Sequence, residues 1–206
     1  MNILLYGGGV DSTTLLAYLA NKGIKDLIVI HSDYGQKAFK QEEKALNYFC
    51  SKYSFKSVSP KMDLTFASSC SILKNNSKSP SNNTKLELRN VILLSLASSY
   101  IASNTSDKVN TIYVGFHSEP KGKPYPDAVL YNVKGLEKVF KCCSGCNIDI
   151  KAPFVNKTRF DIYKLSTVLD KEIINKSYTC YDYKPCGKCP HCIMKKQIIS
   201  MLENSK

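Results

Sequence analysis

The chain opens Asn2-Ile3-Leu4-Leu5-Tyr6-Gly7-Gly8-Gly9-Val10-Asp11-Ser12-Thr13-Thr14-Leu15-Leu16. Asn2–Tyr6 reads as a buried strand, and from Thr13 to Asn21 apolar residues return at helical spacing. Three glycines and an Asp-Ser pair stand between them. Glycine turns tightly through positive φ and lets backbone N–H groups approach an anion with no Cβ in the way. The helix N-terminus that follows adds free N–H donors and partial positive charge. Ser12, Thr13 and Thr14 add hydroxyls. The stretch therefore reads as a phosphate cradle, although it lacks the Lys of a Walker A loop and the GxGxxG of a dinucleotide fold. The alternative is an ordinary glycine turn before an Asp/Ser-capped helix.

Strand and helix signals alternate along the rest of the chain. Asp26–His31, Phe55–Val58 and Thr111–Val114 read as strands. Lys37–Tyr53, Arg89–Ala102, Lys134–Lys141 and Thr158–Leu169 read as helices, and Gly23 suits the end of the first one. This alternation argues for βαβ units and a mostly parallel sheet, which binds ligands beyond the carboxyl ends of its strands. Lys74–Lys85 is polar and contains Pro, so it reads as a surface loop. No internal repeat is visible.

At 206 residues with 43% apolar content, the chain suits one domain with a small appendage, here divided at 1–170 and 171–206. No apolar run approaches the roughly 20 residues of a membrane span, and no secretory signal is seen. Nine cysteines, an odd number, suit a reducing cytoplasmic setting in which thiols serve metal binding or chemistry. The net charge of +12 favours anionic partners such as nucleotide or nucleic acid, or else reflects a solvated Lys-rich surface.

Near the other end, Cys180, Cys186, Cys189 and Cys192 follow the spacing C-x5-C-x2-C-x2-C. Four thiolates so close can surround one ion tetrahedrally, which selects zinc or iron–sulfur. Lys196 stands where a ferredoxin run needs a further Cys, so zinc is favoured. His191 can replace one thiol, or stand as a bystander where four thiols are present. A site closed by four thiolates serves folding rather than catalysis. Cys142, Cys143 and Cys146, in CCSGC, suggest either a second metal site or unlinked thiols.

GGGVDSTT resembles the pyrophosphate-binding loop SGGxDS of the PP-loop ATP pyrophosphatases, with Gly7 in place of the Ser. Further motifs resemble one branch, the 7-cyano-7-deazaguanine synthases (QueC-like proteins). They are Asp33-Tyr34-Gly35-Gln36, Arg89-Asn90 in an apolar helix, Val114-Gly115, Tyr125-Pro126-Asp127, Ala152-Pro153-Phe154 with Lys157, and Thr179-Cys180-Tyr181 with the later cysteines. The resemblance implies a doubly wound α/β fold with a mostly parallel five-stranded sheet, of the adenine nucleotide alpha hydrolase type, and a small C-terminal zinc-binding helical element. It implies that Tyr6, Gly7, Gly8, Gly9, Val10, Asp11, Ser12, Thr13, Thr14, Tyr34, Gln36, Arg89 and Gly115 bind ATP. Asp11 is the candidate for Mg²⁺, and Asp11, Ser12, Arg89, Asp127 and Lys157 are the catalytic candidates. Departures from the family pattern are Gly7, Glu87-Leu88 before Arg89, Glu119-Pro120 as a displaced acidic residue, Ala128-Val129 after Asp127, and Lys195 in place of an Arg.

Three functions follow. The first is adenylation of 7-carboxy-7-deazaguanine followed by amide and nitrile formation with ammonia. The second is a specialised relative of a phage, defence or DNA-modification pathway, joining a deazapurine carboxylate to another amine. The third is an inactive zinc-containing subunit that binds nucleotide, nucleic acid or a protein partner. A homodimer is compatible with each.

Overall fold

The computed structural model describes residues 1–67, 70–76, 84–107, 109–118 and 125–204. Five parallel strands run in the order β3-β2-β1-β4-β5. They are β1 (Asn2–Leu5), β2 (Leu27–Ile30), β3 (Lys56–Val58), β4 (Asn110–Tyr113) and β5 (Ile148–Lys151). β1 lies at the centre, with Ile3 paired to Ile28 on one side and Ile112 on the other.

Both faces of the sheet are covered, as the apolar strands require. Ile3 and Leu4 are each fully buried but join different cores, because successive strand residues point to opposite faces. Leu4 packs with residues of α1 (Val10–Asn21), α2 (Phe39–Tyr53) and α5 (Arg159–Leu169). The same core takes Ile173 from α6 (Ile173–Lys176) and Ile198 from α7 (Pro190–Glu203). Ile3 packs with residues of α3 (Arg89–Asn104) and α4 (Leu130–Ser144). A smaller cluster of Tyr34, Leu64, Ile72 and Leu73 sits beyond β2 and β3.

The boundaries differ from the sequence reading in instructive places. α1 begins at Val10 rather than Thr13, because extended Gly9 is its N-cap and no side chain caps it. Asp11 and Ser12 thus lie in the first turn of the helix. α4 starts four residues earlier than Lys134 and carries Cys142 and Cys143 on its last turn. Thr158 precedes α5 as its cap, in a reciprocal capping box with Asp161. Of the Lys74–Lys85 loop, residues 77–83 lie outside the described residues, as do Glu119 and Pro120. No helix among the described residues is long and apolar enough to cross a membrane.

The chain proceeds outward from β1 to β2 and β3, then returns to place β4 on the other side of β1. At this reversal the loops after β1 and β4 diverge and leave a crevice, the usual ligand position in such sheets. The glycine loop follows β1, and Val114-Gly115 follows β4.

Candidate active site

A cavity of about 460 Å³ opens at this crevice. Its floor is Tyr6, Gly7, Gly9, Val10, Asp11 and Ser12. The loop closes on itself: the Gly7 N–H donates to Ser12 Oγ (3.2 Å), and that hydroxyl donates to the Gly9 carbonyl (3.2 Å). The first-turn N–H groups of α1 have no partner within their own helix, so the floor offers donors to an anion. Gly115 faces it closely, where a Cβ would stand 3.6 Å from the Ser12 nitrogen.

Thr13 and Thr14 do not line the cavity. Their hydroxyls turn back onto the helix, to the Gly9 carbonyl (2.8 Å) and the Val10 carbonyl (2.7 Å), as buried helical threonines commonly do. Gly8 also faces away, with φ +73° and its missing side chain directed at Glu42. A Cβ on Gly8 would stand 2.5 Å from that of Glu42, whereas nothing lies within 4 Å of one on Gly7. Gly8→Ala is therefore expected to cost roughly 2–4 kcal/mol of stability, from left-handed strain plus overpacking. Gly7→Ala should unfold like the parent in the same denaturant titration.

Asp11 is half-buried between a histidine and an arginine. Its Oδ2 lies 3.5 Å from His117 Nε2 and 3.7 Å from Arg159 Nε, while Oδ1 is buried without a hydrogen-bond partner. Burial disfavours its charge, but the His117 hydrogen bond and the Arg159 charge outweigh this and hold the carboxyl below the usual range. For His117, burial lowers the pKa, yet Asp11 raises it further than that, leaving it above its ordinary value.

The opposite wall comes from the loop after β2 and the start of α3. Gln36 is buried, accepting from the Tyr34 N–H and donating to the Ser32 carbonyl and Glu42. It shapes the loop that presents Tyr34, which lines the cavity with Arg89. Leu88 adopts left-handed φ 55° and so turns the chain sharply into α3 at Arg89. Asp127 does not line the cavity but accepts from the Asn90 N–H (2.9 Å), fixing the same helix start. Lys157 also stays outside. Its side chain is exposed, and its carbonyl accepts from the N–H and hydroxyl of Ser118.

The third wall belongs to the cysteine element. Tyr178, Thr179, Tyr181, His191 and Met194 line the cavity, and the Tyr178 N–H donates to the Gly8 carbonyl (2.8 Å). The sulfurs of Cys180, Cys186, Cys189 and Cys192 lie within 4.8 Å of one another. Two of their separations are 3.5 and 4.0 Å, which bracket the tetrahedral edge of about 3.8 Å expected for Zn–S bonds of about 2.3 Å. Backbone N–H groups of Asp182, Cys186, Cys189 and Cys192 point at these sulfurs. Burial raises the Cys186 thiol, but N–H groups of Lys188 and Cys189 outweigh it and bring it to about 7. Preorganised thiols of this kind, two buried and two half-buried, fit zinc. His191 is not one of the group. Its Nε2 hydrogen-bonds the Tyr181 hydroxyl at 2.8 Å inside the cavity. Cys142, Cys143 and Cys146 do not gather, and among the described residues the four-thiol group is the one cluster placed to hold a metal.

A profile described as "Queuosine biosynthesis protein QueC" matches residues 1–202. The chain belongs to the QueC family. Among curated relatives, the 7-cyano-7-deazaguanine synthase of Methanocaldococcus jannaschii is 26% identical over 97% of this chain and 94% of its own. Those of Buchnera aphidicola subsp. Schizaphis graminum and Methanosphaera stadtmanae are each 30% identical, over 94% and 95% of this chain and 87% and 91% of theirs.

Within this QueC-family chain, two departures from the family pattern, Gly7 and Ala128, line the cavity. Lys195 does not: its Nζ donates to the Ile174 carbonyl (2.6 Å) and braces α7 against α6. Among the cavity-lining residues that the motifs did not point to are His31, Glu42, His117, Arg159, Tyr163 and His191. Composition held a clue to several of them. The chain has three histidines and two arginines, and every one lines the cavity, while no lysine does among the described residues.

Proposed function

We propose that the cavity binds ATP and a deazapurine carboxylate together and transfers AMP to the carboxylate. The observation that carries this reading is the meeting of the glycine loop, Asp11 and both arginines at one switch-point cavity. The N–H groups of the loop suit pyrophosphate, and Tyr34, Tyr125 and Tyr181 supply aromatic surface for flat rings. Mg²⁺ suits the free Oδ1 of Asp11, where it would accompany the triphosphate and offset its charge.

A ring carboxylate is a poor electrophile because its oxygen leaves badly. In the proposed step a carboxylate oxygen attacks the α-phosphorus and pyrophosphate departs. Ammonia then attacks the acyl carbon and AMP leaves, giving the amide. A second adenylation, on the amide oxygen, again releases pyrophosphate; the nitrogen then loses its two protons, the C–O bond breaks and AMP leaves with that oxygen, giving the nitrile. The chain's part is to hold the two anions in line, spread the developing charge and exclude water. Arg89, at the start of α3 beside Tyr34 in the cavity wall, suits the substrate carboxylate through its planar fork. The cysteine element, residues 171–206 with the 1–170 fold, acts as a wall rather than as a reactive metal.

The relatives' name supports 7-cyano-7-deazaguanine as product, and 7-carboxy-7-deazaguanine with ammonia is the proposed route to it. A second reading keeps the adenylation and admits a larger amine, because the cavity lining at Ala128 is a small side chain. With ATP, ammonium and 7-carboxy-7-deazaguanine, the chain should release AMP and pyrophosphate only when the carboxylate is present. Release of ADP and phosphate contradicts the reading. Intact ATP with a folded chain favours the inactive subunit.

A further inference from the structure

We infer that Arg159 binds the pyrophosphate portion of the nucleotide, held in position by His117 and Asp11. This rests on the ATP reading above and assigns one anion to each arginine.

A chain so rich in lysine places none of its lysines among the described cavity residues but both of its arginines there. Lysine serves as a solvated point charge, whereas arginine offers a rigid, weakly hydrated fork for phosphate and carboxylate. The two forks have separate surroundings. Arg89 stands among Tyr34, Tyr181 and Asp127. Arg159 is the first residue of α5, its side chain 17% exposed, and reaches the first turn of α1 beside the glycine loop. Its Nη2 and Nε lie 3.1 and 3.4 Å from His117 Nε2, and its Nη1 touches the Met194 sulfur. The approach to Asp11, at 3.7 Å, exceeds the 2.7–2.9 Å of a charge-assisted arginine–carboxylate bond. Asp11 therefore orients the guanidinium rather than engaging it in a tight pair. The β- and γ-phosphates of a nucleotide seated on the loop would lie within its reach.

The cation suggested by motif resemblance, Lys157, is exposed and outside the cavity, and Arg159 two residues later takes that place. During adenylation the new bond forms between the carboxylate oxygen and the α-phosphorus. The bond from that phosphorus to the bridging oxygen breaks, and its electron pair leaves with pyrophosphate. Charge grows on the side where Arg159 stands, so its contact strengthens in the transition state.

The test is calorimetric titration of the folded, zinc-loaded chain with AMP, ATP and inorganic pyrophosphate. Arg159→Ala should weaken ATP and pyrophosphate binding about 10- to 100-fold, as for a lost charged hydrogen-bonding group, and leave AMP within about twofold. Arg159→Lys, which keeps charge but not the fork, should fall between parent and Ala. Free guanidinium should restore part of the lost turnover of Arg159→Ala without changing KM for the carboxylate. Parent-like ATP and pyrophosphate binding by Arg159→Ala overturns the inference. So does an equal loss of AMP binding, or a loss carried by Lys157→Ala instead. A parent chain that binds no nucleotide overturns both this inference and the ATP reading.

Discussion

Replacing Cys189 with serine, or treating the chain with a chelator, is expected to unfold the C-terminal element and open the cavity to solvent. Cys189 is fully buried and is the N-cap of α7, whose Ile198 enters the core shared with β1. The element also supplies Tyr178, Thr179, Tyr181, His191 and Met194 to the cavity. Structural zinc contributes roughly 10 kcal/mol or more to folding in small sites, so losing it exceeds any single packing defect. The melting temperature should fall by about 10 °C or more, since about 1 kcal/mol shifts a chain of this size by a few degrees. Metal analysis of the parent should find one zinc per chain. Iron with sulfide, or a Cys180/Cys186/Cys189/Cys192→Ser protein of unchanged melting temperature, contradicts the assignment.

Asp11→Asn should leave the fold intact and reduce AMP formation by about 100-fold or more, the scale seen when one preorganised charge-stabilising group is removed. The substitution is isosteric, but it takes away the charge that faces His117 and Arg159 and the free oxygen suited to Mg²⁺. Turnover should fall with little change in the melting curve. Full activity in Asp11→Asn would exclude the carboxylate from the reaction.

Local signals made much of this molecule readable in advance. The strand–glycine–helix stretch announces itself because turn, cap and helix are encoded by neighbours. The cysteine spacing does so because one ion needs four ligands close in the chain. β5 is harder to read: Ile148–Lys151 is four residues long and pairs in parallel with a strand far away in sequence. Motif resemblance located Asp127 and Lys157 but not their side-chain directions, which α3 and the turn before α5 determine. Glycine and hydroxyl content marked the loop without separating Ser12, which lines the cavity, from Thr13 and Thr14, which face the helix interior. Helix periodicity makes that distinction only once the start at Val10 is known. The convergence of Arg159, His117 and His191 is a tertiary event with no local signal, visible in the sequence only as the rarity of those residues in a lysine-rich chain.

The most direct measurement of the central claim follows the oxygen. The carboxylate of 7-carboxy-7-deazaguanine is labelled with ¹⁸O in both positions, and the chain turns it over with ATP and ammonium. If the carboxylate is adenylated, each AMP released carries one ¹⁸O, because the oxygen that attacked the α-phosphorus leaves with it. A nitrile product then accounts for two labelled AMP molecules, and an amide for one that retains a single label. AMP free of label, with ¹⁸O still in the ring product or in water, would contradict carboxylate adenylation at this site.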